Sequence, residues 1–334
     1  MRSSITTIIV TYNSATVLRP CVDSLRDHIK PARILVVDNA SKDESIEVAR
    51  ALDADVIANE ANLGYGAGCN LGARYATTPL LMFVNPDVCI ASVDCMVLSK
   101  LAIRNPFGLV APRALLEGDG RRQALSLRCG VPWPCDIVRE ALGPLMPPEV
   151  RERIRSPSGV IGGYRWLSGA LLLCDREEFL GLGGFDERLF LYYEDRELSL
   201  KYSRSGLPLS VTDGITGCHA WGGSSGEGAS ERTIPAAASA LSSIEFVGIA
   251  HGVPAARWAW TLYQLLSRVA VAAASVVAIG HFPRRAKRKR GELLATRLAV
   301  QTLLGVPGPF YPLVKDFASR RSATAGASST ADLD

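Results

Sequence analysis

The sequence has little that would send it out of the cell, through a membrane or onto nucleic acid. Its eight cysteines are scattered at 21, 69, 89, 95, 129, 135, 174 and 218, and none forms a C-x-x-C pair, which argues against a zinc site. Several sit in apolar runs, where a free thiol behaves as a small hydrophobe; reduced thiols and a cytosolic setting are expected. Residues 5–10 (ITTIIV) are too short and too β-branched for a signal peptide, and no cleavage pattern follows. The uncharged apolar stretch late in the chain, Val269–Gly280, is only 12 residues long, where a spanning helix takes roughly 20. The net charge is +4, and the N-terminal half has no basic, aromatic-interleaved patch of the kind that binds nucleic acid. No internal repeat is visible. What is present is ample apolar residue for a core: 48% of 334 residues, with 21% charged, bounds a folded protein of one large or two smaller domains.

The first 110 residues alternate between two periods. Ile5–Val10, Arg33–Val37, Val56–Ala58 and Leu80–Val84 read as buried strands. Between them, residues 14–29, Asp43 to Leu52, and the stretch from Gly64, Gly66 and Gly68 to Ala76 read as helices. Strands alternating with helices predict a mostly parallel sheet with helices on both faces, an α/β fold. Such sheets bind ligands outside the strands' carboxyl ends, where this sequence gathers polar and acidic residues. Residues 117–160 read as an irregular insertion. Trp166–Cys174 reads as one strand, followed by a helix from Arg176, a turn at Gly183–Glu187, and an aromatic-then-acidic segment, Phe190 to Tyr202, running into a helix. From about Ile234 the composition turns to Ala, Leu and Val with helical character. The expected domains are residues 1–230, a helical C-terminal region over 231–318, and a disordered Ser/Ala/Thr-rich tail over 319–334.

Four places could carry chemistry, and each has a plainer alternative. Asp38, at a strand end, could accept from a nucleobase N–H or a ribose hydroxyl, or form a cap or Asx turn. Asp87, after Asn85-Pro86, could hold Mg²⁺ or Mn²⁺ on a nucleoside diphosphate, or cap a following helix. Glu194-Asp195, with Glu197 beyond, could supply a general base in an aromatic-lined pocket, or simply favour a helix dipole. His219 could ligate a metal, contact the diphosphate, or be structural. The Gly64-Tyr65-Gly66-Ala67-Gly68 run does not follow the first strand, so a dinucleotide fingerprint is the weaker reading; a tight loop with close helix packing is the better one. The late apolar helix beside Arg284, Arg285, Lys287, Arg288, Lys289 and Arg290 reads as a lipid-surface element, burying apolar side chains while attracting anionic lipids, or as a core-facing helix with a solvated end.

Together these motifs resemble the family 2 glycosyltransferases, of the GT-A fold. The matching pieces are Val10-Thr11-Tyr12-Asn13, Val37-Asp38-Asn39-Ala40-Ser41, Asn62-Leu63-Gly64-Tyr65-Gly66 with Asn70, Asn85-Pro86-Asp87, Trp166-Leu167-Ser168-Gly169-Ala170, and Gly183-Gly184-Phe185-Asp186-Glu187 running to Tyr193-Glu194-Asp195. They fall in the family's order over roughly residues 5–225. Asn-Pro-Asp in place of Asp-x-Asp, with the Trp-Leu-Ser-Gly and Phe-Asp-Glu blocks, is most similar to the bacterial rhamnosyltransferase branch acting on polyprenyl-diphosphate-linked sugars. The resemblance implies an inverting sugar transfer from a dTDP- or UDP-sugar, dTDP-rhamnose above all, to a lipid-linked saccharide acceptor. The setting would be cell-wall or polysaccharide synthesis, on the inner face of the cell membrane. It implies that Thr11, Tyr12 and Asp38 hold the base and ribose, with Asn13, Asn62, Gly64, Asn70 and Asn85 in the same nucleotide-sugar site. Asp87 and His219 would bind Mg²⁺ or Mn²⁺, Asp195 would be the base, and Glu194 would shape the acceptor site. Two positions depart from the family pattern: Asn85 replaces the first Asp of the metal motif, and Glu197 stands where a second Asp is usual. The alternatives are a family 2 transferase with another donor sugar and a non-catalytic nucleotide-sugar-binding protein. A nucleotidyltransferase would need a Gly-rich, Arg-containing loop where Thr11-Tyr12-Asn13 stands.

Overall fold

The computed structural model describes residues 4–94, 106–116, 122–124, 128–129, 133–147, 150, 165–220, 233–279, 283–305, 311–312 and 314–315. The chain forms two compact units: Met1–Gly130, Gly163–Glu187 and Glu194–Gly226 in one, Val131–Gly162, Arg188–Tyr193 and Glu227–Asp334 in the other.

The first unit opens with β1 (Ile5–Thr11), α1 (Ala15–His28), β2 (Arg33–Asp38), α2 (Ser45–Ala51), β3 (Asp55–Ala58), α3 (Tyr65–Tyr75) and β4 (Leu80–Val84). Then come β5 (Val88–Val93), β6 (Leu109–Pro112), β7 (Ala114–Leu116), β8 (Arg122–Ala124) and β9 (Arg128–Cys129). After α4 (Trp133–Leu142), which belongs to the second unit, the first resumes with β10 (Arg165–Trp166), β11 (Leu171–Asp175), α5 (Arg176–Gly181), α6 (Glu194–Arg204), β12 (Leu209–Thr212) and β13 (Ile215–His219).

Seven strands form the main sheet in the order β12-β6-β11-β4-β1-β2-β3. Only β11 runs against its neighbours, β4 and β6; the other pairs are parallel. β1 is buried along its whole length, as a central strand covered on both faces must be, and its Ile, Val and Thr content suits that position. Alternate residues serve opposite faces. Ile9, Val36 and Met82 pack with Leu18, Val22 and Leu25 of α1; Ile8, Leu35 and Phe83 pack with Cys69, Phe179, Leu198 and Tyr202 from α3, α5 and α6. The rings of Phe83, Phe179 and Phe185 lie 4.9–5.6 Å apart and pin the turn before α6. The glycines of α3 work as close-packing positions: a Cβ on Gly68 would stand 2.8 Å from Val10, and one on Gly72 2.6 Å from Ile8.

Two readings of the sequence are corrected. The strand expected over Trp166–Cys174 is broken into β10 and β11 by a loop, Leu167–Ala170. The 117–160 segment, expected to be irregular, holds two short strands and α4; Pro134 sits in the first turn of α4, where its missing N–H costs nothing. Most of the rest of that segment, Trp221–Gly223 and the 319–334 tail lie outside the described residues.

In the second unit α4 is joined by α7 (Thr233–His251), α8 (Val253–Ile279) and α9 (Pro283–Gly305). This unit therefore begins earlier than the composition shift near Ile234, because Ile137 and Ala141 of α4 pack with Leu241, Ile244 and Val247 of α7 and with Trp260 and Tyr263 of α8. Gly252, at φ 90°, ends α7 with its N–H on Gly248 O, as a left-handed glycine cap does. Among the described residues one helix segment, Ile234–His251, is long and apolar enough to cross a membrane, and 56% of it is buried inside the protein. α8 carries an exposed apolar stripe of Trp258, Leu265 and Val269, the first 70% exposed. On α9, Leu294 and Leu298 are exposed one turn apart. The side chains from Arg284 to Arg288 lie outside the described residues.

Candidate active site

Strand register brings the candidate loops of the first unit to one edge. Thr11 pairs with Asp38, and β4 runs parallel beside β1. Because β11 is reversed, its first residue, Leu171, lies opposite Val84 at the end of β4. The segments Thr11–Asn13, Asp38–Ser41, Asn85–Asp87 and Leu167–Ala170 therefore share the carboxyl edge of the parallel strands, where open α/β sheets hold ligands.

Asp38 is fully buried. Its Oδ1 accepts from Thr11 Oγ1 at 2.8 Å and Ser41 Oγ at 2.6 Å, and its Oδ2 from Ser41 N at 2.9 Å. The Asx turn weighed for Asp38 is thus present, with one Oδ2 lone pair left uncommitted. Asn13 and Ala40 are both left-handed, at φ 54° and 60°, a strained pair of loop residues of the kind that collects at functional sites. Asn13 N donates to Ser41 Oγ and Asn13 Oδ1 accepts from Lys42 N, both at 2.8 Å. Tyr12 is exposed beside them. Asn62 Oδ1 accepts from Gly64 N at 3.0 Å, and Gly64, at φ 84°, turns the chain into α3. The Asn70 amide, expected in the nucleotide-sugar site, is used inside the fold. It donates to Phe185 O and Glu187 Oε1 and accepts from Phe185 N, at 2.9–3.0 Å, which ties α3 to the turn before α6.

Asp87 is followed by a strand, not a helix, so the helix-cap alternative falls. β5 and β13 are antiparallel with His219 opposite Val88, and Ala220 N donates to Asp87 O at 3.1 Å. This sets His219 Nε2 at 3.2 Å from Asp87 Oδ1 and 3.4 Å from Asn85 Nδ2. Both Asp87 and His219 are buried, and Asp87 Oδ1 accepts no hydrogen bond. Adjacent ligands of an octahedral ion bonded at roughly 2.0–2.1 Å stand about 3 Å apart, so the pair fits a divalent cation. Among the described residues no third His, Cys, Asp or Glu completes a cluster; substrate oxygens and water would fill the remaining positions. Beyond this pair on the same strands, Cys89 stands opposite Cys218. Burial, with the Cys218 thiol beside it, pushes the Cys89 thiol up to about 11.

Glu194 and Asp195 open α6. Asp195 Oδ2 accepts from Gly169 N at 3.0 Å, in the loop that breaks β10 from β11. A Cβ on Gly169 would lie 3.3 Å from the Asp195 Cβ, a tight contact that a side chain here would make only if Asp195 gave way by a few tenths of an ångström. Ser199 braces the same place, donating to Asp195 O at 2.8 Å and accepting from Leu167 N at 3.1 Å. Tyr65 donates to Gly169 O at 3.0 Å, and burial holds its phenol well above the usual range. The guanidinium of Arg196 lies 4.7 Å over the Trp166 ring, a cation–π contact. Glu194 is buried, with Oε2 unpartnered; burial first, then the Asp195 charge, raise its carboxyl to about 8. The preceding Tyr192 and Tyr193 are both left-handed, at φ 66° and 69°. Sequence reasoning missed Tyr65, Gly169 and Ser199 as supports for Asp195. The Tyr between two glycines and the Ser-Gly-Ala after Leu167 were the available signals.

Residues 6–136 match the sequence profile described as Glycosyl transferase family 2. An uncharacterised glycosyltransferase of Mycobacterium bovis is 30% identical over 187 residues, which are 53% of this chain and 74% of that protein. The chain belongs to glycosyl transferase family 2. This family 2 glycosyltransferase has the α/β sheet of the GT-A fold expected from its sequence. It is also 31% identical over 203 residues to the N-acetylglucosaminyl-diphospho-decaprenol L-rhamnosyltransferase of Mycobacterium tuberculosis, a match covering 53% of this chain and 62% of that protein. Among solved structures, the mannosyltransferase of Pyrobaculum calidifontis in complex with GDP-Man and Mn²⁺ superposes with a TM-score of 0.47 at 15% identity, over 90% of this chain and 88% of that one.

Proposed function

We propose that the protein transfers a sugar with inversion from a nucleotide-sugar donor, dTDP-rhamnose, to a saccharide on a polyprenyl diphosphate. The observation that carries this is the gathering at one sheet edge of a cation-fitting pair, Asp87 and His219, and a braced carboxylate, Asp195. Asp195 takes the proton of the acceptor hydroxyl. Gly169 N, Tyr65 and Ser199 hold that carboxylate and its loop in place, and Glu194 stays protonated beside it at neutral pH. The hydroxyl oxygen attacks the anomeric carbon, and the nucleoside diphosphate departs from the opposite face. Asp38, Thr11 and Tyr12 line the nucleoside end, with Asn13, Asn62 and Gly64 shaping the loops around it. A bound Mg²⁺ or Mn²⁺ would supply Lewis-acid stabilisation of the leaving diphosphate's charge; Asp87 and His219 are the residues that would hold it. The rhamnosyltransferase relative supports the choice of donor and lipid-linked acceptor. The test is a donor screen with thymidine- and uridine-diphosphate sugars on a polyprenyl-diphosphate-linked N-acetylglucosamine. Rhamnosylated product from dTDP-rhamnose is expected, and turnover confined to a uridine-diphosphate sugar would overturn the donor. Full activity in EDTA would remove the metal from Asp87 and His219.

The second unit is proposed to rest on an anionic membrane surface at the inner face of the cell membrane. Trp258, Leu265 and Val269 present one apolar face of α8, Leu294 and Leu298 extend apolar exposure on α9, and Lys289 and Arg290 stand on the same helix. Apolar insertion and attraction of basic residues to anionic headgroups reinforce each other.

A further inference from the structure

We propose that Cys89 and Cys218 form a reversible disulfide that cross-links β5, which directly follows Asp87, to β13, which ends in His219. The two cysteines are register partners on antiparallel β5 and β13. Directly opposed antiparallel residues have Cα atoms about 4.5–5.5 Å apart, inside the roughly 4.4–6.8 Å span of disulfides. Both side chains leave the same face, since their neighbours Val88, Ile90, Gly217 and His219 are buried while Cys89 is half-buried and Cys218 exposed. The strands are held close here: a Cβ on Gly217 would collide with the backbone of Cys89, and Ser92 and Thr216 hydroxyls bond across the pair at 2.6 Å. By contrast Cys21, Cys69 and Cys174 are buried and have no such access.

The oxidant is a low-molecular-weight disulfide, which reaches exposed Cys218 first. Cys218 Sγ, giving up its proton, attacks one sulfur of the small disulfide and expels the other as a thiol, leaving a mixed disulfide. Cys89 Sγ then attacks Cys218 Sγ, loses its proton and expels the second small thiol. Two protein thiols are oxidised, one small disulfide is reduced to two thiols, and both protons end on the leaving groups. The bond would fix Cys89 two residues from Asp87 and Cys218 next to His219, drawing the strands together under the cation pair. Its effect on metal affinity rests on the reading of Asp87 and His219 as ligands; the bond itself does not.

The experiment treats the full chain with oxidised glutathione, maps peptides without reduction, and titrates Mn²⁺ by calorimetry before and after. A peptide joining Cys89 to Cys218, lost on adding dithiothreitol and absent in C89S and C218S, is expected, with Mn²⁺ bound at least about fivefold more weakly, a usual size for coupling between two sites. The C89S/C218S double variant should bind Mn²⁺ equally with and without oxidant. If no Cys89–Cys218 peptide forms, the disulfide proposal is overturned. If it forms and Mn²⁺ affinity is unchanged, the coupling is overturned. If the reduced protein binds no Mn²⁺ yet the peptide forms, the metal reading alone has failed.

Discussion

Two neighbouring carboxyls at the start of α6 are held in different ways. Asp195 is bonded to a backbone N–H in the loop that breaks the expected strand, whereas Glu194 is buried without a partner for Oε2. Replacing Asp195 by Asn should cut turnover by about 10²–10⁴-fold while calorimetry still detects donor binding; unimpaired turnover would rule it out as the base. For Glu194 the sign follows from its raised pKa. The unfolded acid ionises near 4.5 and the folded one near 8, so its contribution to stability is whole below the lower value and is lost as pH rises through the upper one. Glu194→Gln should therefore melt at a higher temperature than the parent at about pH 9, with the gap shrinking by about pH 6. The same variant should lose the fall in activity above about pH 8, where a second charge would otherwise appear beside Asp195. An unchanged alkaline limb in Glu194→Gln would show that another group controls it.

At the scale of elements, the joints matter more than the elements themselves. Asn70→Ala would leave Phe185 N buried without its acceptor, at a cost of roughly 1–3 kcal/mol; urea unfolding should show it, and a variant as stable as the parent would remove Asn70 from its role as a tie. The early βα units were legible because their strands are continuous β-branched runs and α1 keeps its apolar residues on one face. The placement of Asp38 and Asp87 at strand ends and of Glu194-Asp195 at a helix start was legible, because strand ends and helix starts can be read from the chain. The break at Leu167–Ala170 was not, since apolar Trp166, Leu167, Ala170 and Leu171 look like one strand and only the Asp195–Gly169 bond shows why it stops. Nor was Asn70's use inside the fold, because nothing local distinguishes an asparagine facing a ligand from one bonded to a turn 115 residues away. A helix cap stayed open as an alternative for Asp87 because the pairing of β5 with β13 is set by a partner more than a hundred residues later.

For the whole molecule, the proposed surface attachment makes salt a useful probe. Binding to anionic liposomes should weaken as ionic strength rises, because charges near a surface are screened within about 10 Å at 0.1 M salt. Trp258→Ala with Leu265→Ala should weaken binding further without altering the melting temperature, since both side chains are mostly exposed. Equal flotation of parent and variant would exclude this face. A separate consequence lies in the contact of α3 with β1. Gly68 meets Val10 and Gly72 meets Ile8, so four helix residues, a rise of about 6.0 Å, are matched to two strand residues, about 6.6 Å. The two repeats mesh like a rack and pinion. A helix keyed in this way cannot slide along the strand without driving side chains into its backbone, which fixes where Gly64 and Tyr65 emerge. Sequence drift should feel it too: an alanine at position 72 would be tolerated chiefly when position 8 shrinks as well, so the two sites should vary as a pair.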